Sequence, residues 1–96
     1  MDKNLNWFKE QIHPELKEYK VDYLYFENGD FGNLDRVDFK NEHIGGGIDF
    51  WSSGWLGIHL VDYDNDIELI NVLLEADEKV QISDHLDLLV NFLLKK

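Results

Sequence analysis

The spacing of hydrophobic positions changes character along the chain. Leu5, Phe8 and Ile12 recur at helical intervals, and Ile12, Leu16 and Tyr19 continue the pattern past Pro14. Proline fits the first turn of a helix and not its interior, so the spacing predicts a helix that breaks or restarts at His13-Pro14. From Val21 the period is two: Leu24 and Phe26 alternate with Tyr23, Tyr25 and Glu27. The turn-rich ENGDFGN, residues 27–33, leads into a second alternating run over residues 35–41. Parity predicts a register. With Phe26 facing Val37 and Leu24 facing Phe39, four apolar side chains share one face, while Tyr25 meets Asp38 and Glu27 meets Arg36 on the other. A tight turn at Asn28-Gly29 would set Leu24 against Asn33, so a longer loop is expected despite the Asn-Gly hairpin signal.

The same test applies to GGGIDFWSSGWLGIHL, residues 45–60. A three-residue SSG loop with Gly54 in the left-handed conformation sets Trp51 opposite Trp55, Phe50 opposite Leu56 and Ile48 opposite Ile58. Ile48, Phe50, Leu56, Ile58 and Leu60 then form a core side, leaving Asp49, Trp51, Trp55, Gly57 and His59 on the opposite side. After DYDND, residues 62–66, the run IELINVLLEAD reads either as a helix with a polar arc of Glu68, Asn71 and Glu75 or as a fifth strand. A short turn after Tyr63 favours the strand. Ser83 with Asp84 marks the start of a last helix, with Leu86, Leu89, Val90 and Leu93 on one face and Lys95-Lys96 suited to its C-terminus. The expectation is a single α+β domain over residues 1–96, an antiparallel sheet of four or five strands with an N-terminal and a C-terminal helix.

At 96 residues such a domain can build one core without staples. The absence of cysteine excludes a disulfide framework, a thiolate zinc site and a thiol nucleophile. The N-terminal residues lack the basic and apolar regions of a signal peptide, and no run reaches the ~20 apolar residues of a membrane span, so a cytoplasmic location off the membrane is expected. Twenty Asp and Glu against nine Lys and Arg give a net charge of −11. That charge repels nucleic acid and attracts basic proteins. Residues 41–78 sharpen it: Glu42, Asp49, Asp62, Asp64, Asp66, Glu68, Glu75, Asp77 and Glu78 are accompanied by no Lys or Arg. The plainer reading is that the charge serves solubility.

Candidate chemistry is sparse. Gly45-Gly47 lacks the Lys-Ser/Thr of a P-loop and the G-x-G-x-x-G spacing, and precedes a strand where a phosphate site wants a helix N-terminus. A bulge or close backbone approach explains it better. Asp62, Asp64 and Asp66 match the first, third and fifth positions of a calcium loop, but Ile67 stands where glycine must turn and Leu73 where a bidentate Glu must close the shell, leaving an acidic hairpin turn. His13, His43, His59 and His85 show no metal-ligand spacing. His59 is the one histidine placed on a sheet face beside a carboxylate, Asp49, with no nucleophile motif to accompany it. No catalytic residue, cofactor or metal is therefore expected. Trp51, Trp55, Tyr23 and Tyr25 are either a second core layer under a helix or an exposed platform that anchors a basic surface.

The two-faced hairpin of GGGIDFWSSGWLGIHLVDYDND, the carboxylates of residues 41–78 and the following LINVLLEADE resemble the small acidic immunity proteins of bacterial toxin–immunity systems, including contact-dependent inhibition and other polymorphic toxins. The resemblance implies a cytoplasmic, non-catalytic protein that binds a cognate toxin domain, often a basic nuclease, and blocks its active site or substrate surface. On the sheet-face argument the partner-binding residues are Asp49, Trp51, Trp55, His59, Asp62, Asp64 and Asp66. Two other readings stay open: a small enzyme or ligand-binding domain using His59 with Asp49, and a homodimerising structural domain.

Overall fold

The computed structural model describes residues 3–94, so Lys95-Lys96 lie outside the described residues. The N-terminal helical run begins as α1 (Leu5–Trp7), where the Asn4 side chain accepts the Trp7 N–H at 3.0 Å. It widens into a π-turn over Phe8–Ile12 and closes with a 3₁₀ turn at His13–Glu15, with Pro14 in its first turn where no N–H is needed. The predicted restart is thus one 3₁₀ turn. Leu16 and Tyr19 reach the core from outside any helix.

Five strands follow in a simple antiparallel meander: β1 (Lys20–Gly29), β2 (Gly32–Lys40), β3 (Ile44–Trp51), β4 (Leu56–Asp62) and β5 (Ile67–Leu74), adjacent in chain order. Residues 67–74 are therefore a strand. The chain closes with α2 (Lys79–Leu94), which starts four residues before the predicted Ser83. A turn explains the earlier start. The Glu75 N–H donates to the Glu78 carboxylate at 2.8 Å and the Glu78 carbonyl accepts Ile82 N–H at 2.9 Å, so the first turn forms upstream. Ser83 instead receives Lys3 Nζ at 2.6 Å.

Both helical segments pack on the same face of the sheet. Phe8, Ile12 and Leu16 from one end and Leu86, Leu89 and Leu93 from the other join Val37, Phe39, Ile48, Leu56, Ile58, Leu60, Ile70 and Leu74 in one core. The alternation of each strand puts these residues on one side. The two helical segments are held together by the Lys3–Asp87 ion pair at 2.9 Å and by Tyr19 Oη donating to the Leu93 carbonyl at 3.0 Å. Burial pushes the Tyr19 phenol pKa up. Among the described residues no helix is long and apolar enough to cross a membrane.

The β3–β4 hairpin has the expected register, Ile48 opposite Ile58 and Phe50 opposite Leu56, with Gly54 at φ +95°. The β1–β2 hairpin does not. Tyr23 faces Val37, Leu24 faces Arg36 and Phe26 faces Leu34, three residues away from the expected pairing and with the opposite parity. Leu24 and Phe26 therefore leave the core side. Val21 and Tyr23 take it, Tyr23 by setting its ring edge-on to Phe8 at 6.5 Å and its hydroxyl 2.7 Å from His13 Nδ1. The cause lies at the tip. The turn is Asp30-Phe31 between Gly29 and Gly32, and Asn28, at φ 60°, sits in a bulge between Phe26 and Gly29. The Asn-Gly pair does supply a left-handed residue, but to the bulge.

Candidate interaction face

Because both helical segments cover one side, the other side of the sheet has no second layer among the described residues. Its residues run in rows across the strands. Lys20, Lys40, Gly45, Val61 and Glu68 form one row; Asp22, Asp38, Gly47, His59 and Asn71 the next; Leu24, Arg36, Asp49, Gly57 and Leu73 the third; Phe26, Leu34 and Trp51 the fourth. Glycine occupies the β3 position of the first two rows and the β4 position of the third. Without side chains there, the centre of the face sinks into a trough of about 650 Å³.

Aromatic rings close the two ends of this trough. A methyl group at Gly45 would collide with the Tyr63 ring, which lies over that glycine. At the other end the Trp51 ring rests on Gly57, where an added Cβ would sit 3.4 Å from the Trp51 ring. Gly46 points to the opposite side, and a side chain there would strike the His59 carbonyl. The triple glycine is thus a close backbone approach, with no bulge in β3.

The side chains around the trough are partly committed. Arg36 holds Asp49 through two parallel bonds, Nε to Oδ1 at 2.7 Å and Nη2 to Oδ2 at 3.2 Å. This bond raises the Arg36 pKa above its ordinary value. Arg36 therefore pairs across β2–β3 and not with Glu27. His59 Nε2 lies 3.4 Å from Glu68, so the expected His59–Asp49 pairing is replaced by two separate pairs. Asp22 and Asp38 face each other across β1–β2, and neither joins any of the four ion pairs among the described residues.

Trp51 and Trp55 share a third ring. Phe31, from the β1–β2 turn, stacks on Trp55 with centroids 4.2 Å apart and meets Trp51 edge-on at 5.4 Å. The two hairpin tips are also tied by Ser52 N–H to the Asn33 carbonyl at 2.8 Å and Asn33 N–H to Ser52 Oγ at 2.9 Å. Both tryptophans are half-buried, and among the described residues no helix covers them.

Asp62, Asp64 and Asp66 lie at the far end of β4. Asp62 caps its turn: Oδ1 accepts the N–H of Asp64 at 3.0 Å and of Asn65 at 3.3 Å, and Oδ2 accepts the Asn65 amide at 2.8 Å. These bonds, the Asn65 side chain first, hold its carboxyl below the ordinary 3.8. Asp64 meets His43 Nδ1 at 2.8 Å, and Asp66 adopts φ 53°. Among the described residues no cluster of His, Cys, Asp or Glu is placed to hold a metal ion.

The predicted site residues therefore divide. Asp49, Trp51 and His59 line the trough, and Trp55 joins Trp51 through Phe31 at its end. The acidic turn flanks Tyr63 at the end of the trough opposite the tryptophans, separated from Trp55 by the length of β4, roughly 20 Å at ~3.3 Å per residue. Asp22, Leu24, Phe26, Phe31, Arg36, Asp38 and Tyr63 belong to this side of the molecule without having been singled out. The register error hid the first three, and Arg36–Asp49 would have followed from setting Val37 opposite Ile48. No protein-family model, curated protein or solved structure matches this chain.

Proposed function

We propose that the chain is a non-catalytic binding protein that neutralises a basic protein, in the manner of an immunity protein holding a cytoplasmic toxin domain such as a nuclease. The observation that carries this reading is the open sheet face. It bears a glycine-floored trough between Tyr63 and Trp51, with the carboxylates of Asp22 and Asp38 on one wall, outside the ion pairs among the described residues, and with Lys20, Lys40 and Arg36 in the same lining. A lysine or arginine side chain of the partner would meet Asp22 and Asp38 in this trough, with aromatic faces at both ends for cation–π contact.

Further carboxylates stand in the Asp62–Asp66 turn, which adjoins the Tyr63 end of the trough, and in the Glu75–Glu78 corner, and with a net charge of −11 they steer a basic partner toward the face. An interface of ~800 Å² per partner is about 30 Å across, wide enough to touch both the trough and the acidic turn. An enzyme built on His59 and Asp49 is less well supported, because each is paired elsewhere.

The test is affinity capture with the tagged protein against host lysate and the products of adjacent reading frames, at low and high salt, followed by kinetics on the retained protein. Trp51→Ala and Trp55→Ala should each speed dissociation, with a loss of affinity on the order of thirtyfold for a buried aromatic anchor. Neutralising Asp62, Asp64 and Asp66 should slow association at low salt and leave dissociation unchanged. A partner bound normally by all of these variants would show that a different surface is used.

A further inference from the structure

The strands that wall the trough carry their charges in an order that a lone cation does not explain. On the open side Lys20 faces Lys40 across β1–β2, and in the next row Asp22 faces Asp38. Like charges set directly opposite each other repel, and none of these four residues takes part in the four ion pairs among the described residues. Arg36, one row further on, directs its guanidinium to Asp49. Two like-charge pairs of opposite sign therefore lie side by side in the lining of one trough.

The two rows make two subsites. The lysine row continues into Gly45, over which the Tyr63 hydroxyl lies, so two ammonium groups and an O–H donor border one end of the trough. The aspartate row continues into Gly47, and Asp38 Oδ1 leans over that glycine, 2.9 Å from where a Cβ would stand. The first subsite suits an anion and the second a cation, and the rows are two residues apart along each strand, roughly 7 Å. A doubly charged phosphate on the lysines would face the aspartates one row away. A carboxylate brings a single charge, and the molecule that carries it can supply the cation for the second row. In lysine the six bonds of ~1.5 Å between the α-carboxylate carbon and Nζ, laid out in zigzag, also span roughly 7 Å. The α-ammonium of free lysine would stand against Lys20 and Lys40, whereas at the end of a chain that nitrogen is a neutral amide.

We infer that the trough recognises a chain terminus: a C-terminal lysine or arginine whose α-carboxylate sits at Lys20, Lys40 and Tyr63 Oη and whose side-chain cation sits at Asp22 and Asp38. The inference rests on the reading of the open face as the surface that holds a basic protein, and it names the part of that protein the trough takes. At about 650 Å³ the trough is large enough for one such residue.

Titration of the isotope-labelled full chain with an N-acetylated Gly-Ser-Gly-Lys peptide, ending either in a free carboxylate or in an amide, tests it by NMR. Backbone shifts at Asp22, Asp38, Gly45 and Gly47 are expected, with the acid bound about tenfold more tightly than the amide. Asp22→Asn combined with Asp38→Asn should weaken the acid peptide about tenfold and keep its advantage over the amide. Lys20→Gln combined with Lys40→Gln should abolish that advantage. Circular dichroism checks that each variant stays folded. No shifts with the acid peptide, equal affinity for acid and amide, an advantage that survives the lysine substitutions, or inorganic phosphate bound as tightly as the acid peptide would each overturn it. A basic protein captured by the tagged chain and held as tightly after a carboxypeptidase has removed its last residue would overturn the inference and leave the binding-protein reading standing. Discrimination between the peptides with no protein captured would support the terminus site and count against that reading alone.

Discussion

The two faces of one sheet are built from the same strands by the same alternation, yet they obey different chemistry. On the helix side, Phe8, Val37, Ile48, Leu60, Leu86 and Leu89 have lost all contact with solvent, and no buried polar or charged residue is found among the described residues. On the open side the same strands carry Asp22, Asp38, Arg36, Asp49 and His59, and where neighbouring backbones close up they carry glycine. Covering a face removes its water, and an unpaired polar group there costs about 1–3 kcal/mol. An open face keeps its water and can retain charged groups for recognition. The covered face should therefore set stability and the open face should set binding, and substitutions can separate the two.

The largest loss of stability is expected from Phe8→Ala, which empties the site of a fully buried ring stacked 6.4 Å from Phe39. Urea unfolding should show a loss of about 3–5 kcal/mol. A loss as small as those from open-face substitutions would mean that the helical layer contributes little to the core. Gly46→Ala comes next. Its methyl group meets the His59 carbonyl, a backbone atom that cannot rotate away, and overpacking of this kind costs about 1–3 kcal/mol. Trp51→Ala removes a half-buried ring from Gly57 and Phe31, with an expected loss of ~1 kcal/mol in the same measurement.

Smaller effects should distinguish charges on the open side. Arg36→Met keeps the aliphatic stem and deletes the bond to Asp49; since the Arg36 side chain is 42% exposed, the expected loss is below about 1 kcal/mol and shrinks with added salt. Asp62→Ala tests the acidic turn through pH. Its carboxyl titrates lower folded than unfolded, so its contribution is complete above the ordinary 3.8 and disappears as the pH falls through the lower folded value. Melting temperatures of the two proteins should differ at pH 7 and converge in strong acid. A constant difference would mean that Asp62 acts through turn geometry alone.

Two hairpins show where pattern reading succeeds and where it fails. In β3–β4, the two alternating sets differ sharply: Ile48, Phe50, Leu56 and Ile58 on one side, Asp49, Gly57 and His59 on the other. Only one parity builds a core. In β1, Val21, Tyr23 and Tyr25 alternate with Leu24 and Phe26, and both sets are apolar enough to be buried. The choice falls to the Asp30-Phe31 turn and to the Phe8 ring, whose contact with Tyr23 comes from a segment remote in sequence. The same limit applied to the site. Asp49, Trp51 and His59 were legible as one face from parity, but Phe31 and Tyr63 sit in turns, where no periodicity places them.

What the sequence alone determined is whatever depends on local spacing and covalent identity: the α+β class, the SSG turn with Gly54 left-handed, the two-faced character of the central hairpin and a net charge of −11. Tertiary structure decided which face the helices cover, the phase of β1, the pairing of Arg36 with Asp49, and the trough that three glycines open between Tyr63 and Trp51. These depend on segments that meet only after folding. Alternation separates the two sides of a strand, and only the packing of distant segments decides which side is closed to water.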